Sequence, residues 1–375
     1  MKRERIGPKI KQLRKSKSLT QKELADALGY SDKSMITHIE KGDSDMTYEK
    51  ILLLLKTYCL DANELFAVKE IDEKIAEYKK EQGITNKGLI ITNQEIRHNE
   101  YKIQRFQEEF LKLGIDLEVR KNDGTLAKIV DNSVVLNIPK CDFIIYLDKD
   151  QYLARLLEKS GQRLFNRADF IKLCDDKMLT FIKCANEGIK MPDTYAGPLV
   201  YTSITQPHLE FLDEVSKKLG FPMVVKKVYG SLGEGVFLVQ DKEELINLYR
   251  EICHNPILFQ KYMATSKGHS IRVIIIDGKV FGGFIRKNGG DFRSNFGTTA
   301  GSEKLQNPEK YFSFAQKIAE KLDIEYAGID LLDDKNGEIV LCEINSNAFF
   351  EEFEKTTGLN VAKAFAEMVV RKIYE

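Results

Sequence analysis

Three oxygen-bearing side chains near the C-terminus carry the sharpest chemical signal in this sequence. Asp330 stands in GIDLL, and Glu343 and Asn345 stand in LCEIN. The latter two are two residues apart on an expected strand, so they share a face. Acidic groups beside Leu331, Ile339, Val340 and Leu341 are costly to bury without a cation, and oxygen donors of this kind suit Mg²⁺. Each of the three singly could serve a structural ion pair; three on one hairpin argue for a metal. Upstream, FPMVVKK places Lys226 near the end of an apolar strand, where a buried lysine needs an anionic partner. YGSLGEG follows directly, and Gly230, Ser231, Gly233 and Gly235 make a loop whose backbone can approach phosphate closely. A glycine-rich hairpin alone would say little; strand, lysine and loop together say more. SIRV sets Arg272 in an apolar strand, and DFRSN sets Arg293 and Asn295 in a loop. Two arginines and an asparagine converging would suit phosphate and a developing acyl phosphate. FQKYM could meet a purine through the main chain of Lys261 and Tyr262, or be an ordinary strand end. Cations, carboxylates for Mg²⁺ and a backbone cradle are what phosphoryl transfer from ATP requires.

The elements that must hold these groups change character along the chain. Residues 5 to 66 show apolar positions at helical spacing, among them Ile10, Leu13, Leu24, Leu28, Met35, Ile36, Ile39 and Leu54, with Gly29 and Gly42 as stops; five short helices fit. VKEIDEKIAEYKKEQG follows, with Val68, Ile71, Ile75 and Tyr78 stepping by three and four, as a solvated helical linker or a short dimerising helix. From residue 86 strands and helices alternate. GLIIT, LEVRK, SVVLNIP and DFIIYLD are strands, EYKIQRFQEEFLKLG is a helix, and Ala168 to Glu187 reads as one long helix. This β-α-β order predicts a parallel sheet. Beyond Gly188 come two hairpins, turning at Asp277-Gly278 and Asn336-Gly337, and a closing amphipathic helix.

The N-terminal string SLTQKELADALGYSDKSMITHIEKG has its own logic. Thr20 with Glu23 three residues on is a capping box. Ser31 or Asp32 would cap the next helix, which offers Lys33, Ser34, Thr37 and His38 on its polar face. With Gln21, Leu24, Ala25, Ile39, Glu40 and Gly42, this stretch resembles the Cro/C1 (Xre) repressor family over about 60 residues. That resemblance implies a five-helix DNA-binding fold, DNA contacts from Gln21, Lys33, Ser34, Thr37 and His38, and a homodimer. A helical bundle that binds a peptide substrate is the other use of such a domain.

The segment from about Asp169 to the end resembles the ATP-grasp superfamily, nearest its RimK-like branch, through DDKMLT, FPMVVKK–GSLGEGV, KGHSIRV, GDFRSNF, GIDLL, CEINSN and EKTTGLNVA. The resemblance implies that Lys177 and Lys226 bind ATP phosphates and that Lys261 and Tyr262 line the adenine hinge. It implies that Arg293, Ser294 and Asn295 contact phosphate or the acyl intermediate, and that Asp330, Glu343 and Asn345 hold two Mg²⁺ ions. The expected organisation is multidomain: an all-α helix-turn-helix domain (1–67), a charged linker (68–85), an α/β pre-ATP-grasp domain (86–168) and an α+β ATP-grasp domain (169–375). The implied activity is ligation of a carboxylate to an amine borne by an amino acid, peptide or carrier protein. Two positions depart from the family. Ser270 stands where an acidic residue usually precedes the strand arginine by two, which puts an ATP contact there in doubt. After Asn345 the chain runs Ser346-Asn347-Ala348-Phe349-Phe350 instead of Ser, Pro and Gly, which argues for a different substrate.

Bulk composition sets outer bounds. Of 375 residues 43% are hydrophobic and 30% charged, and formal net charge is zero, so a basic surface must be local. The first 17 residues are such a place, with eight Lys or Arg against one Glu. No apolar run reaches membrane length, and no apolar segment follows the N-terminal charges, so a cytoplasmic protein without a membrane span is expected. The six cysteines and five histidines are scattered without metal-site spacing. The rival reading is a transcriptional regulator using the ATP-grasp domain as a nucleotide or metabolite sensor. The complete Asp330–Glu343–Asn345 set, with Arg272 and Arg293, favours the ligase.

Overall fold

The structure, a computed structural model, describes residues 7–17, 19–44, 46–58, 87–94, 99–294 and 301–374. The chain forms two units, Met1–Thr85 and Asn86–Glu375.

In the first unit α1 (Gly7–Ser16), α2 (Gln21–Ala27), α3 (Ser34–Lys41) and α4 (Tyr48–Thr57) enclose a small core of Ile10, Leu24, Ala25, Leu28, Ile36, Ile39, Met46 and Leu54. The Thr20 hydroxyl accepts from Glu23 N at 3.1 Å while the Glu23 carboxylate accepts from Thr20 N at 2.7 Å, the reciprocal cap that starts α2. Asp32 starts α3 by accepting from Ser34 N at 2.6 Å. Gly42, at φ 79°, ends α3. Met35, expected among the apolar positions, is 38% exposed and stays out of the core. The expected fifth helix and the linker fall outside the described residues.

The second unit begins with β1 (Lys87–Thr92), α5 (Glu100–Lys112), β2 (Asp116–Lys121), a small hairpin of β3 (Ala127–Val130) and β4 (Ser133–Leu136), β5 (Phe143–Leu147), α6 (Gln151–Lys159) and β6 (Leu164–Phe165). The order β2-β1-β5-β6 is parallel throughout, as alternation of strands and helices predicts. Next come α7 (Ala168–Asp175) and α8 (Lys177–Cys184). The single helix expected from Ala168 to Glu187 is thus two. Asp176 turns extended (φ −92°, ψ 99°), and its carboxylate caps α8 by accepting from Leu179 N at 2.9 Å. Apolar periodicity runs through the break, so only the cap marks it.

Two antiparallel sheets follow. The first has the order β7-β10-β8-β9, built from β7 (Thr194–Ala196), α9 (Phe211–Leu219), β8 (Met223–Lys227), β9 (Val236–Val239), α10 (Lys242–Ile252) and β10 (Ile257–Lys261). The second has the order β13-β12-β11-β14-β15, built from β11 (His269–Ile276), β12 (Lys279–Lys287), β13 (Gly301–Lys304), α11 (Glu309–Leu322), β14 (Tyr326–Asp333) and β15 (Ile339–Asn345). The closing helices α12 (Glu351–Thr357) and α13 (Val361–Tyr374) fold back against the parallel-sheet domain. Phe365 of α13 meets Phe106 of α5 at 4.8 Å between ring centres, and Phe350 meets Phe106 at 5.5 Å. Buried aromatic pairs of this kind add about 0.5–1.5 kcal/mol each beyond their area, so one core ties the parallel sheet to the five-stranded sheet.

The hairpin of β11 and β12 carries a bulge. Ile275 pairs with Val280 but Ile274 pairs with Gly282, so Phe281 is an extra residue on β12. Every β12 side chain beyond it therefore changes face relative to a regular hairpin.

Candidate active site

The five-stranded sheet brings the charged groups together by register alone. Arg272 on β11 lies opposite Asp330 on β14, and Asp330 lies opposite Glu343 on β15. Opposed residues share a face, and Asn345, two beyond Glu343, joins them. Arg272 donates to Asp330 through Nε at 2.5 Å and Nη2 at 2.7 Å. The bulge adds a residue that the sequence alone did not disclose. It sets Arg286 opposite Ser270 on this same face, and Arg286 Nη2 lies 2.7 Å from Asp330 Oδ2. A regular count from the Asp277-Gly278 turn would have sent Arg286 to the other face.

These groups are buried, which sets their electrostatics. Burial opposes ionisation of Asp330, but Arg272 and Arg286 outweigh it and hold its carboxyl below the ordinary range. Burial likewise opposes the Arg272 cation, yet Asp330 raises its pKa; for Arg286 burial and the neighbouring Arg272 prevail and its pKa falls. Arg286 Nε is buried without a hydrogen-bond partner among the described residues.

The donor set fits a divalent cation. One end of the Asn345 amide is 2.9 Å from Glu343 Oε1, and the other is 3.2 Å from Arg272 Nη2, so the orientation satisfying both directs its N–H to Glu343. Asp330 Oδ1 takes one arginine bond and Oδ2 takes two, and a carboxylate with about four lone-pair sites keeps one. Glu343 makes no ion pair among the described residues. Two carboxylates and an amide oxygen on adjacent strands are hard donors of the type Mg²⁺ takes.

The facing wall comes from the four-stranded sheet and α8. Lys226 on β8 is 7% exposed and donates to Gln260 Oε1 at 2.8 Å; Gln260 is itself anchored by donating to Thr194 Oγ1 at 2.9 Å. Lys177, the first residue of α8, is 8% exposed and donates to Val228 O at 3.2 Å and Gly230 O at 3.0 Å. Burial lowers its pKa, with Glu343 pulling the other way. Among the described residues neither lysine pairs with a carboxylate. Between the walls is a cleft with about 820 Å³ of free space, part of it open to solvent.

That cleft is lined by Lys177, Lys226, Gly230, Ser231, Gly233, Lys261, Tyr262, Ser270, Arg293, Ser294, Asp330 and Glu343. Arg272 and Asn345 lie behind them, bonded as above. Gly235 sits at the end of the glycine loop, where φ 72° and Lys227 at 3.1 Å from any added Cβ would strain a side chain. Asn295 lies outside the described residues. Several of these groups have partners within the protein. Arg293 holds Asp291 through Nε and Nη2, both at 2.8 Å, and donates from Nη1 to Gly233 O at 2.8 Å, so it clasps the glycine loop. The Lys261 N–H is committed to Asp193 O at 2.9 Å. Where an acidic residue was expected, Ser270 Oγ accepts from Arg286 at 3.1 Å and from Ser294 Oγ at 2.7 Å. Phe350 is fully buried in the core and lines no substrate passage; Phe349 is 42% exposed.

In the first unit Lys33, Ser34 and His38 are exposed along α3. Gln21 and Thr37 are partly turned inward: Gln21 Nε2 donates to Glu40 at 2.9 Å, and Thr37 Oγ1 donates to Gln21 Oε1 at 3.2 Å. Glu40, 6% exposed, is held by Arg14 at 2.5 and 3.1 Å.

Comparison with known proteins gives this geometry its family. The model of the RimK-like ATP-grasp domain matches residues 174–369. The chain belongs to the RimK-like ATP-grasp family. A helix-turn-helix model matches residues 10–65, ahead of the ATP-grasp domain. β-Citrylglutamate synthase B of Danio rerio is 33% identical over 256 residues, covering 66% of this chain and 62% of that protein. Human N-acetylaspartylglutamate synthase A is 36% identical over 259 residues, covering 68% and 63%. The chain thus spans a little under two thirds of the length of these ATP-grasp relatives. The crystal structure of D-alanine–D-alanine ligase from Bacillus anthracis with ATP superposes with a TM-score of 0.60 at 20% identity, covering 76% of this chain and 97% of that one, and so shares the fold. No helix among the described residues is long and apolar enough to cross a membrane.

Proposed function

We propose that this chain is an ATP-dependent carboxylate–amine ligase whose N-terminal unit binds DNA. The observation that carries the reading is the pair Lys177 and Lys226, buried without a carboxylate partner among the described residues and sharing one cleft with Asp330 and Glu343. Buried cations without a counter-charge are costly unless an anion completes them, and the ATP phosphates are that anion. A substrate carboxylate attacks the γ-phosphate, giving an acyl phosphate and ADP. An amine then attacks the acyl carbon, and the amide forms as phosphate departs and the amine loses its proton. Arg286, which lines the cleft and is fixed by Asp330, would present its guanidinium to the transferring phosphoryl group without reorganising, and Arg272 would add positive charge from behind Asp330. Mg²⁺ held by Asp330, Glu343 and Asn345, as two ions on family analogy, would offset the phosphate charge that repels the carboxylate. Lys261 and Tyr262 would border the purine. No side chain need act as nucleophile; positioning supplies the rate.

The products named for the two synthase relatives, β-citrylglutamate and N-acetylaspartylglutamate, contain glutamate, which supports an amino acid or a peptide as the amine component. DNA binding rests on the helix-turn-helix match and on exposed Lys33, Ser34 and His38. A homodimer in the cytoplasm is the setting that fits both activities. The deciding assay is ADP release with Mg-ATP and a panel of free amino acids and peptides, wild type beside Asp330→Ala/Glu343→Ala. Turnover that needs an acceptor and vanishes in the double variant is expected. Tight ATP binding without turnover on any acceptor would favour the sensor instead. For DNA, fluorescence anisotropy against salt should give a steep log–log slope; a flat response would return the helical unit to peptide binding.

A further inference from the structure

Lys102, the third residue of α5, is 1% exposed, on the parallel-sheet side of the second unit. Its ammonium donates to Asn347 O at 3.3 Å and to the Asn347 side-chain carbonyl, and lies 4.6 Å from the centre of the Phe349 ring. No carboxylate among the described residues pairs with it, and burial alone pushes its pKa down to about 7. Asn347 is two residues beyond Asn345, where β15 ends. Its neighbours are pinned by neutral groups: Ser346 O accepts from Asn166 Nδ2 at 2.7 Å, and Ala348 O accepts from Tyr326 Oη at 2.9 Å.

The segment leaving the metal-facing strand is therefore held at three successive residues, and only the middle tether carries a charge. A methionine of similar length would fill the same space without the desolvation penalty of a buried ammonium. Asn347 and Phe349, which both touch Lys102, also stand where the run after Asn345 departs from the family.

We propose that Lys102 is a positioning residue for Asn345. By drawing both carbonyls of Asn347 to one ammonium, it fixes the short lever between the parallel-sheet domain and the cation-binding end of β15. This rests on Asp330, Glu343 and Asn345 being divalent-cation ligands, but not on ligation chemistry. Groups behind metal ligands typically govern affinity by 10–100-fold.

The test uses the full chain with a non-hydrolysable ATP analogue, and Mn²⁺ as the probe, with free ion followed by electron paramagnetic resonance. Lys102→Met should weaken Mn²⁺ retention about tenfold, while analogue affinity in EDTA and the melting temperature hold at wild-type values or above. Asn347→Ala should weaken Mn²⁺ similarly, and the double variant should be no worse than either single one. Wild-type Mn²⁺ affinity in Lys102→Met overturns the proposal. So does a parallel fall in Mn²⁺ binding, analogue binding and melting temperature, since that marks a merely structural tether. A wild type that binds no Mn²⁺ overturns it as well. Absence of acceptor-dependent ADP release beside a selective Mn²⁺ defect would sink the ligase reading and leave the positioning role standing.

Discussion

Asp330 and Glu343 are both assigned to the cation, yet removing their charges should have unequal consequences for folding. Asp330 is 2% exposed and forms ion pairs with two arginines buried with it. In Asp330→Asn an amide N–H would face guanidinium N–H groups, and two buried cations would lose their only ion-pair partner among the described residues. Breaking a buried pair from one side costs about 3–5 kcal/mol. At about 2–4 °C per kcal/mol for a domain of some 200 residues, melting should fall by roughly 6–20 °C. Glu343 makes no such pair, and Glu343→Gln keeps its shape, so its melting temperature should stay within about 2 °C of wild type. Both variants should lose ADP release. The assay is differential scanning calorimetry of the three proteins without nucleotide, beside a coupled ADP assay. An Asp330→Asn protein melting like wild type would refute the claim that Asp330 balances the arginine pair. A Glu343→Gln protein that releases ADP at the wild-type rate would refute its place among the ligands.

Three other outcomes are expected. In Gly328→Ala the new Cβ would lie 2.7 Å from Ala348 Cβ and 2.8 Å from Arg272 Cδ; displacing Arg272 should cut turnover roughly 100-fold with little change in nucleotide affinity by calorimetry. Lys102 loses its proton near pH 7 when folded but near 10.5 when unfolded. The unfolded chain then holds one more proton between those values, so stability rises with pH there by about 1.4 kcal/mol per unit. Urea denaturation at several pH values should show this slope in wild type and lose it in Lys102→Met. In the first unit, Glu40→Gln leaves Arg14 in a half-buried pocket without its partner, and hydrogen exchange of α1 to α3 should quicken by about 2–4 kcal/mol of lost protection.

What the sequence disclosed follows what each feature depends on. Thr20 and Glu23 were legible because a capping box is local. Asp330, Glu343 and Asn345 were legible because strand alternation and an apolar setting are local too. Arg286 was not: its place in the cleft depends on a bulge, and nothing in KVFGGFIRK announces where pairing slips, although two adjacent glycines mark a weak point. The break at Asp176 was hidden by unbroken apolar periodicity. The clasp of Arg293 on the glycine loop joins residues 60 apart, and Lys102 reaches Asn347 across 245; such contacts arise only when the sheets are assembled. The sequence did not separate Phe350, which is buried, from exposed Phe349, because an aromatic residue beside a site can equally belong to the core behind it.

The extra residue at Phe281 makes length itself a coded quantity. Strand side chains keep a two-beat phase, and one residue more is half a cycle. Deleting Phe281 would close the bulge and leave Arg286 opposite Ser270, whereas one residue more or fewer between Gly282 and Arg286 would swing Arg286 out and Ile285 in. Between Gly282 and Arg286 the chain should therefore accept many exchanges of residue and no change in their number.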